Sequence, residues 1–227
     1  MFNRNECILN QQFDLMIKIK KFVFNTFMVN TYLLYDETGE CVLIDAACYD
    51  PGEQDELAGF IVENNLKLVR NLNTHCHIDH ILGNPFIAQK FGINPEYHEN
   101  SLPFFHTLKE IGNSFGFSIN GVPAPKRFLA DGETISWGAS SLKVLFTPGH
   151  ADGSVCFFNE AQQFVITGDV LFKDTIGRTD LPSGDFDQLM TSINTRLFTL
   201  PEATVVYPGH GPETSIGYEM ENNPFIR

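Results

Sequence analysis

Residues 74–80 of this 227-residue chain read Thr-His-Cys-His-Ile-Asp-His and place four candidate metal ligands within six positions. Three later turns contain three more, namely Thr-Pro-Gly-His at 147–150, Thr-Gly-Asp at 167–169 and Tyr-Pro-Gly-His at 207–210. Imidazole nitrogen and carboxylate oxygen are ordinary ligands of zinc and related ions. The sequence therefore predicts a centre for two divalent metal ions, with the ligands His75, His77, Asp79, His80, His150, Asp169 and His210.

The spacing of the first two histidines assigns them to one ion. His75 and His77 are two residues apart, so an extended backbone projects both side chains to the same side. Both can bind one ion through imidazole nitrogen at about 2.0–2.1 Å, and His150 is expected to be the third protein ligand. Cys76 lies between them and points the other way, so we expect it in the core rather than at the metal.

The remaining ligands are assigned to a second ion. Asp79 and His80 are adjacent in a turn and can bind this ion together with His210, while Asp169 bridges both ions through its two carboxylate oxygens. Two ions about 3.5–4 Å apart can share a water and lower its pKa from about 15.7 towards about 7. The predicted nucleophile is therefore a hydroxide held by both metals.

Three polar residues outside this ligand set have less specific roles. Asp45 ends the apolar run 41–45. It is expected either to orient a ligand histidine or the motif loop, or to serve a turn or a helix N-cap. His98 and His106 are interpreted as structural or surface residues. For His98, which lies beside Tyr97 at a predicted strand end, a contact with a metal ligand or with the substrate is the alternative.

The composition indicates a globular protein with a substantial core, since 43% of its residues are hydrophobic and 19% are charged. The net charge of −13, from 15 basic and 28 acidic residues, argues against a nucleic-acid partner, because phosphate binding needs clustered Lys and Arg.

Residues 1–21 lack the apolar core of a signal peptide, and no apolar run reaches the roughly 18 residues of a membrane span. The five cysteines show no C-x-x-C spacing. We therefore expect a cytoplasmic protein with free thiols and no membrane partner.

Strands and helices are predicted to alternate in both halves of the chain. Apolar runs predict strands at 17–24, 30–35, 41–46, 66–72, 134–137, 142–146, 154–158, 164–166 and 204–207. Periodic apolar positions predict a helix over 81–91 and helices capped by Asp50, Ser101 and Asp185. The Gly- and Pro-rich segment 116–127 is predicted to be a loop, either at the substrate mouth or as a simple connector. Two sheets flanked by helices are the natural layered solution.

With these residues identified, the chain resembles the metallo-β-lactamase-fold hydrolases, whose H-x-H-x-D-H signature is matched at 75–80. Within them it is most similar to the short bacterial members of the glyoxalase II-type group, the hydroxyacylglutathione hydrolase-like proteins. The matching segments are Gly-Arg-Thr-Asp-Leu-Pro at 177–182, Gly-His-Gly-Pro-Glu-Thr at 209–214 and Asn-Asn-Pro-Phe at 222–225. The resemblance implies an α/β fold, an αββα sandwich with the metals at one edge. It covers 17–227, predicted to be one domain after an N-terminal extension, 1–16, whose order is left open.

The resemblance also implies a reaction and a ligand assignment. The assignment is the one made above, and the reaction is hydrolysis of a small-molecule thioester such as S-lactoylglutathione. Asp79 would orient the nucleophile as well as bind metal. Arg178 is a candidate anchor for a substrate carboxylate, with an ion pair to Asp180 as the alternative. Zinc is the expected metal, and iron or manganese would also accept these ligands.

The length of the chain and two motifs keep other activities open. Glyoxalase II enzymes continue into a helical C-terminal region that supplies much of the glutathione site, whereas 17 residues follow His210 here, so the identity of the thiol is open. Thr-His-Cys-His at 74–77 and Gly-Arg-Thr-Asp at 177–180 also resemble persulfide dioxygenases, which use one iron. The complete second ligand set favours the dinuclear hydrolase over that enzyme, and a lactonase is a further alternative.

Overall fold

The computed structural model describes residues 16–119 and 121–226, except for the side chains of residues 105–107 and 109. Residues 1–15 of the predicted extension and the side chain of His106 therefore lie outside the described part of the chain. Six strands form the first sheet, in the order β1 to β6: β1 Lys18–Phe24, β2 Val29–Tyr35, β3 Glu40–Ile44, β4 Lys67–Leu72, β5 Pro95–His98 and β6 Arg127–Leu129. The first two pairings are antiparallel and the next three are parallel.

The second half of the chain forms the second sheet and a small hairpin. Its strands are β7 Thr134–Trp137, β8 Ser140–Phe146, β9 Val155–Asn159, β10 Phe164–Gly168, β11 Leu171–Phe172, β12 Thr175–Ile176, β13 Val205–Pro208 and β14 Thr214–Ser215. The sheet order is β14-β13-β10-β9-β8-β7, and β11 pairs with β12. Within the sheet, β10 and β13 are parallel and the other neighbours are antiparallel.

The helices are α1 Pro51–Glu63, α2 Ile78–Ile81, α3 Asn84–Phe91, α4 Leu102–Ser114, α5 Phe186–Ser192 and α6 Ile216–Asn222. The local sequence explains why two of these helices, α1 and α5, begin where they do. Glu53 accepts hydrogen bonds from the backbone N–H groups of Tyr49 and Asp50 at the start of α1. Asp185 accepts one from the N–H of Gln188, as expected of an N-cap. None of the described helices has the length and apolarity needed to span a membrane.

The core has three apolar layers, which follow from the two-residue period of the strands. Leu34, Val42 and Ile44 point inward from the first sheet and pack against Val144 and Phe157 of the second. The intervening residues of the first sheet, such as Leu33 and Leu43, pack with Leu57 and Ile61 of α1. On the far side of the second sheet, Leu189, Ile193 and Leu197 pack with Val165 and Val206. This arrangement of helix, sheet, sheet and helix confirms the predicted fold class.

The helix predicted over 81–91 starts three residues later in the structure, as α3 from Asn84, and the short helix α2 before it ends at Ile81. Gly83 lies between the two helices and packs closely on the chain after β3, where a Cβ would lie 2.7 Å from Cys48 Sγ and 2.8 Å from the carbonyl oxygen of Ala46. This close approach holds the segment that follows the histidine motif against the chain after β3.

Some local predictions were wrong, and short elements were missed. Ser101 makes no side-chain cap, because a short 3₁₀ turn, Glu99–Ser101, precedes α4. The predicted loop 116–127 ends in strand β6. Sequence periodicity also missed β11, β12, β14 and α6, since the three strands have two residues each and α6 has only seven.

Candidate metal centre

The structure brings the seven predicted ligands together at one edge of the sandwich. The histidine motif follows β4, His150 follows β8, Asp169 follows β10 and His210 follows β13. Three groups have all their ligand atoms within 4.8 Å of one another: His75 with His77 and His150, His75 with His80 and Asp169, and Asp79 with His80 and His210. The first and third are the two ligand sets predicted from the sequence, and the second places Asp169 between them.

The first group consists of three histidines held as neutral imidazoles. His150 Nε2 lies 2.9 Å from His77 Nδ1, and the ring of His75 is 4.7 Å from that of His77. Burial and the neighbouring histidines hold the pKa of His75 well below its usual value. Burial and His150 lower the pKa of His77 to about 3, and burial also lowers the pKa of His150. Neutral imidazole is the form that binds a metal ion.

The second group combines histidine with carboxylate. Asp79 Oδ2 lies 3.6 Å from His80 Nε2 and 3.4 Å from His210 Nε2. Burial opposes a charge on His80, but Asp169, Asp79 and Asp45 raise its pKa well above the usual value. Burial also opposes a charge on His210, but hydrogen bonds with Asp169 and Asp79 raise its pKa to about 9. The carboxylates therefore make this end of the centre attractive to cations.

Asp169 is placed to contact both groups. Its Oδ1 is 3.4 Å from His80 Nε2, and its Oδ2 is 3.5 Å from His210 Nε2 and 3.7 Å from His150 Nε2. Burial alone would raise the pKa of Asp169, but His80 and His210 hold it well below its ordinary value. Gly209 permits this approach, because a Cβ there would lie 2.2 Å from Asp169 Oδ1.

The donor atoms fit a pair of divalent ions. His75 Nε2, His80 Nε2 and Asp169 Oδ1 are buried and have no hydrogen-bond partner among the described residues. Such atoms are costly unless something else binds them. The carboxylate-to-imidazole separations of 3.4–3.7 Å are too long for good hydrogen bonds. They are close to the edge of a tetrahedron of ligands at about 2.1 Å from an ion, which is about 3.4 Å.

Contacts behind the ligands set the tautomers of His75 and His80. Asp45 Oδ1 accepts the backbone N–H of Thr74 at 2.7 Å, and its Oδ2 accepts the Thr74 hydroxyl at 2.7 Å. Asp45 Oδ2 also accepts from His80 Nδ1 at 3.0 Å, while Thr74 Oγ1 lies 3.1 Å from His75 Nδ1. These contacts place the protons on Nδ1 and leave both Nε2 atoms free to bind an ion. They are the contacts expected if Asp45 orients a ligand histidine and the motif loop.

Backbone carbonyls play the same part for the two later histidines. His150 Nδ1 donates to the carbonyl oxygen of Arg178 at 2.8 Å, and His210 Nδ1 donates to that of Phe27 at 3.0 Å. Sequence analysis missed both contacts, since any residue type offers a carbonyl and the sequence therefore carries no signal for them. The guanidinium of Arg178 binds Asp180 through two hydrogen bonds of 2.7 Å. This is the pairing named as the alternative, and the role of Arg178 as a substrate anchor stays a prediction.

Cys76 and His98 have the surroundings of structural residues rather than of metal ligands. Cys76 is fully buried and packs with Tyr97 and Leu108, which confirms the prediction that it lies in the core. The ring of His98 stacks on Phe146 with centroids 4.2 Å apart, and its Nδ1 accepts the backbone N–H of Asn100 at 3.3 Å. These contacts match the structural interpretation of His98.

Comparison with known proteins places the chain in a family. A model of the metallo-beta-lactamase superfamily matches residues 25–210. The probable metallo-hydrolase YqgX of Bacillus subtilis is 36% identical over 212 residues, which cover 92% of this chain and 98% of that protein. The hydroxyacylglutathione hydrolase GloC of Haemophilus influenzae is 34% identical over 202 residues, which cover 88% and 93%.

Solved structures give the same result. The BLEG-1 B3 metallo-beta-lactamase superposes with a TM-score of 0.83 and 31% identity, covering 92% of this chain and 99% of that one. A di-iron-bound form of TTHA1623 superposes with a TM-score of 0.81 and 32% identity, covering 91% and 99%. The chain belongs to the metallo-beta-lactamase superfamily and is a metal-dependent hydrolase of that superfamily.

Proposed function

We propose that the chain hydrolyses small-molecule thioesters at a centre of two divalent metal ions. The observation that carries this proposal is the complete pair of ligand groups, with Asp169 between them. The similarity to GloC, a hydroxyacylglutathione hydrolase by name, supports the thioester class. The acidic composition supports a small molecule rather than a nucleic acid as the partner, and we propose the cytoplasm as the location.

The proposed reaction adds water across the thioester bond. The carbonyl carbon gains a C–O bond and loses its C–S bond, which yields a carboxylic acid and a thiol. Two bound ions would supply hydroxide at neutral pH and polarise the carbonyl. A thiol has a pKa of about 8.5, so the thiolate leaves without strong help from a protein acid, and the lack of an assigned acid is consistent with this substrate.

The exposure of the ligands indicates the side from which substrate approaches. The side chains of His75 and His80 are almost fully buried, whereas those of Asp79, Asp169 and His210 are 15%, 13% and 28% exposed. Asp79 is therefore on the open side, where its carboxylate can accept a proton from the nucleophile and orient it. This is the catalytic role that we propose for Asp79.

We propose zinc as the resident metal. The mixed nitrogen and oxygen ligands also suit iron and manganese, and the di-iron form of TTHA1623 makes iron the main alternative. Metal analysis of protein purified from cells, before any metal is added, distinguishes these ions. Two equivalents of zinc per chain are the expected result.

One paired assay tests the proposed activity against a persulfide dioxygenase. Metal-analysed protein is given S-lactoylglutathione, with release of thiol as the readout, and in parallel glutathione persulfide, with oxygen uptake as the readout. Thioester turnover with about two metals per chain supports the proposal. Oxygen uptake with one iron per chain, and no thiol release, would replace it with the dioxygenase. A lactone substrate in a third arm tests the lactonase alternative.

A further inference from the structure

Apolar side chains lie exposed at the open side of the metal centre. In the turn between β1 and β2, Phe27 is 36% exposed and Met28 is 66% exposed, and Phe115 at the end of α4 is 56% exposed. The ring of Phe27 meets that of Phe115 edge-on at 5.3 Å and that of Phe117 at 5.9 Å. We call the exposed residues Phe27, Met28 and Phe115 the apolar rim, and Phe117, which is only 6% exposed, packs against Phe27 in the core. Exposed apolar groups that cluster in this way often mark a binding surface.

The turn that carries Phe27 and Met28 is bound directly to the metal centre. The carbonyl oxygen of Phe27 accepts the hydrogen bond from His210 Nδ1 at 3.0 Å. Two residues earlier, the Asn25 side chain donates to the carbonyl oxygen of Asp79 at 2.9 Å. These two bonds fix the turn beside the ligands that are open to solvent.

The segment after helix α4 supplies the rest of the rim, since Phe115 follows the last residue of this helix. The start of α4 contacts the metal centre, where Phe104 lies edge-on to His77 with ring centroids 5.2 Å apart. At its far end, Phe117 packs on Tyr49 at 4.8 Å, and the hydroxyl of Tyr49 accepts the backbone N–H of Ser118 at 2.9 Å. The rim is therefore held at the metal centre through the β1–β2 turn, which contacts His210 and Asp79, and is supported on its other side by the segment after α4.

The basic side chain next to the ligands is already paired with an acid. Arg178, whose backbone contacts His150, has its guanidinium bound to Asp180. An anionic group would therefore gain little from this cation, whereas an apolar group would gain by leaving water at the rim.

We propose that the apolar rim binds an apolar substituent next to the scissile bond, so that the enzyme prefers thioesters with an aryl or branched alkyl group. This inference rests on the proposed thioester hydrolysis and names its substrate class. The substituent can belong to the acyl group or to the thiol, because the rim adjoins the centre on one side and either half of a thioester can lie there. An aryl or branched alkyl group in place of a methyl group should raise kcat/KM about tenfold or more.

Two substrate series test the preference and distinguish the acyl from the thiol side. The first compares acetyl and phenylacetyl thioesters of N-acetylcysteamine, and the second compares acetyl thioesters of ethanethiol and benzyl mercaptan. We expect the apolar member to have about tenfold higher kcat/KM in at least one series. Phe27→Ala and Phe115→Ala should each lower that ratio about fivefold to tenfold. Phe225→Ala is the matched control, since Phe225 is 52% exposed but is not part of the rim, and its ratio should equal that of the wild type.

Binding of a compound that cannot be hydrolysed separates this inference from the proposed function. Calorimetric titration compares the S-benzyl and S-methyl thioethers of N-acetylcysteamine on the metal-loaded protein. Tighter binding of the benzyl compound, weakened by Phe115→Ala and not by Phe225→Ala, supports the rim even if no thioester is cleaved. Equal binding of the two thioethers, together with equal kcat/KM in both series, would overturn it. A dimer that Phe115→Ala converts to a monomer, with unchanged substrate ratios, would instead identify the rim as an interface between copies and would also overturn it.

Discussion

Replacing Asp45 by asparagine tests how the protein prepares His80 to bind metal. Asp45 is 1% exposed, and its Oδ2 accepts from His80 Nδ1 at 3.0 Å, which directs His80 Nε2 towards Asp79 and Asp169. In the variant, an amide oxygen can still accept the N–H of Thr74. The amide nitrogen then faces His80 Nδ1 and donates to it. The ring proton would move to Nε2, where it blocks a metal ligand.

The expected magnitude follows from this change of tautomer. Loss of the hydrogen-bond partner of a metal-binding histidine weakens metal binding about 10–100-fold, which corresponds to about 1.4–2.7 kcal/mol. The effect should be larger for the ion held by His80 than for the ion held by His75, which Asp45 reaches only through the Thr74 hydroxyl. Competition with a chromophoric chelator measures the two dissociation constants, and the absorption spectrum of the cobalt-substituted protein reports the change in coordination.

A second buried carboxylate supplies the control. Asp36, at the end of β2, is 3% exposed and accepts hydrogen bonds from the Ser140 hydroxyl and the Ala139 N–H across the two sheets. Asp36→Asn therefore disturbs a comparable network that holds no ligand histidine, and its metal affinity should stay within about twofold of the wild type. The reasoning is refuted if Asp45→Asn binds both ions with wild-type affinity, or if Asp36→Asn loses metal by the same factor.

Three further outcomes are expected. His210→Ala should bind about one ion instead of about two and lose most thioester turnover, and metal analysis showing two ions would contradict the assignment of His210. Removal of metal by a chelator should lower the melting temperature, with zinc restoring about 2.7 kcal/mol of stability at a hundredfold excess over its dissociation constant, and an unchanged calorimetric transition would contradict this. Burial alone would raise the pKa of Asp36, but hydrogen bonds from Thr38 and Ser140 lower it. The ionised Asp36 carboxylate therefore stabilises the folded state fully above the unfolded pKa of about 3.9, and this stabilisation is lost as the pH falls through the lower folded pKa. The deficit of Asp36→Asn should be about 1–3 kcal/mol at pH 7 and should shrink near pH 3, so an equal deficit by urea unfolding at both pH values would be evidence against it.

The layered fold was predictable because strand and helix periodicity is local. In β2 and β3, neighbouring side chains such as Leu33 and Leu34 pack on opposite faces of the sheet, and both faces are buried. The sequence shows this as continuous apolar runs, which predict strands without an alternating polar face. The close packing at Gly83 was not predictable. It depends on Cys48, which is distant in sequence and meets Gly83 only when the chain after β3 folds against the motif.

The sequence by itself indicated the types of the candidate ligands, and the spacing of His75 and His77 predicted that these two side chains share a side of an extended backbone. It also indicated Asp45, since a carboxylate at the end of an apolar strand needs a partner.

Only the tertiary structure showed which groups bind Nδ1 of His150 and His210. Their partners are the backbone carbonyls of Arg178 and Phe27, and since every residue has a carbonyl, the sequence does not indicate which one is used. Only the tertiary structure also placed Phe27 against Phe115 beside the ligands. Such contacts between distant segments depend on how whole elements pack, and that packing is not encoded in the spacing of any one motif.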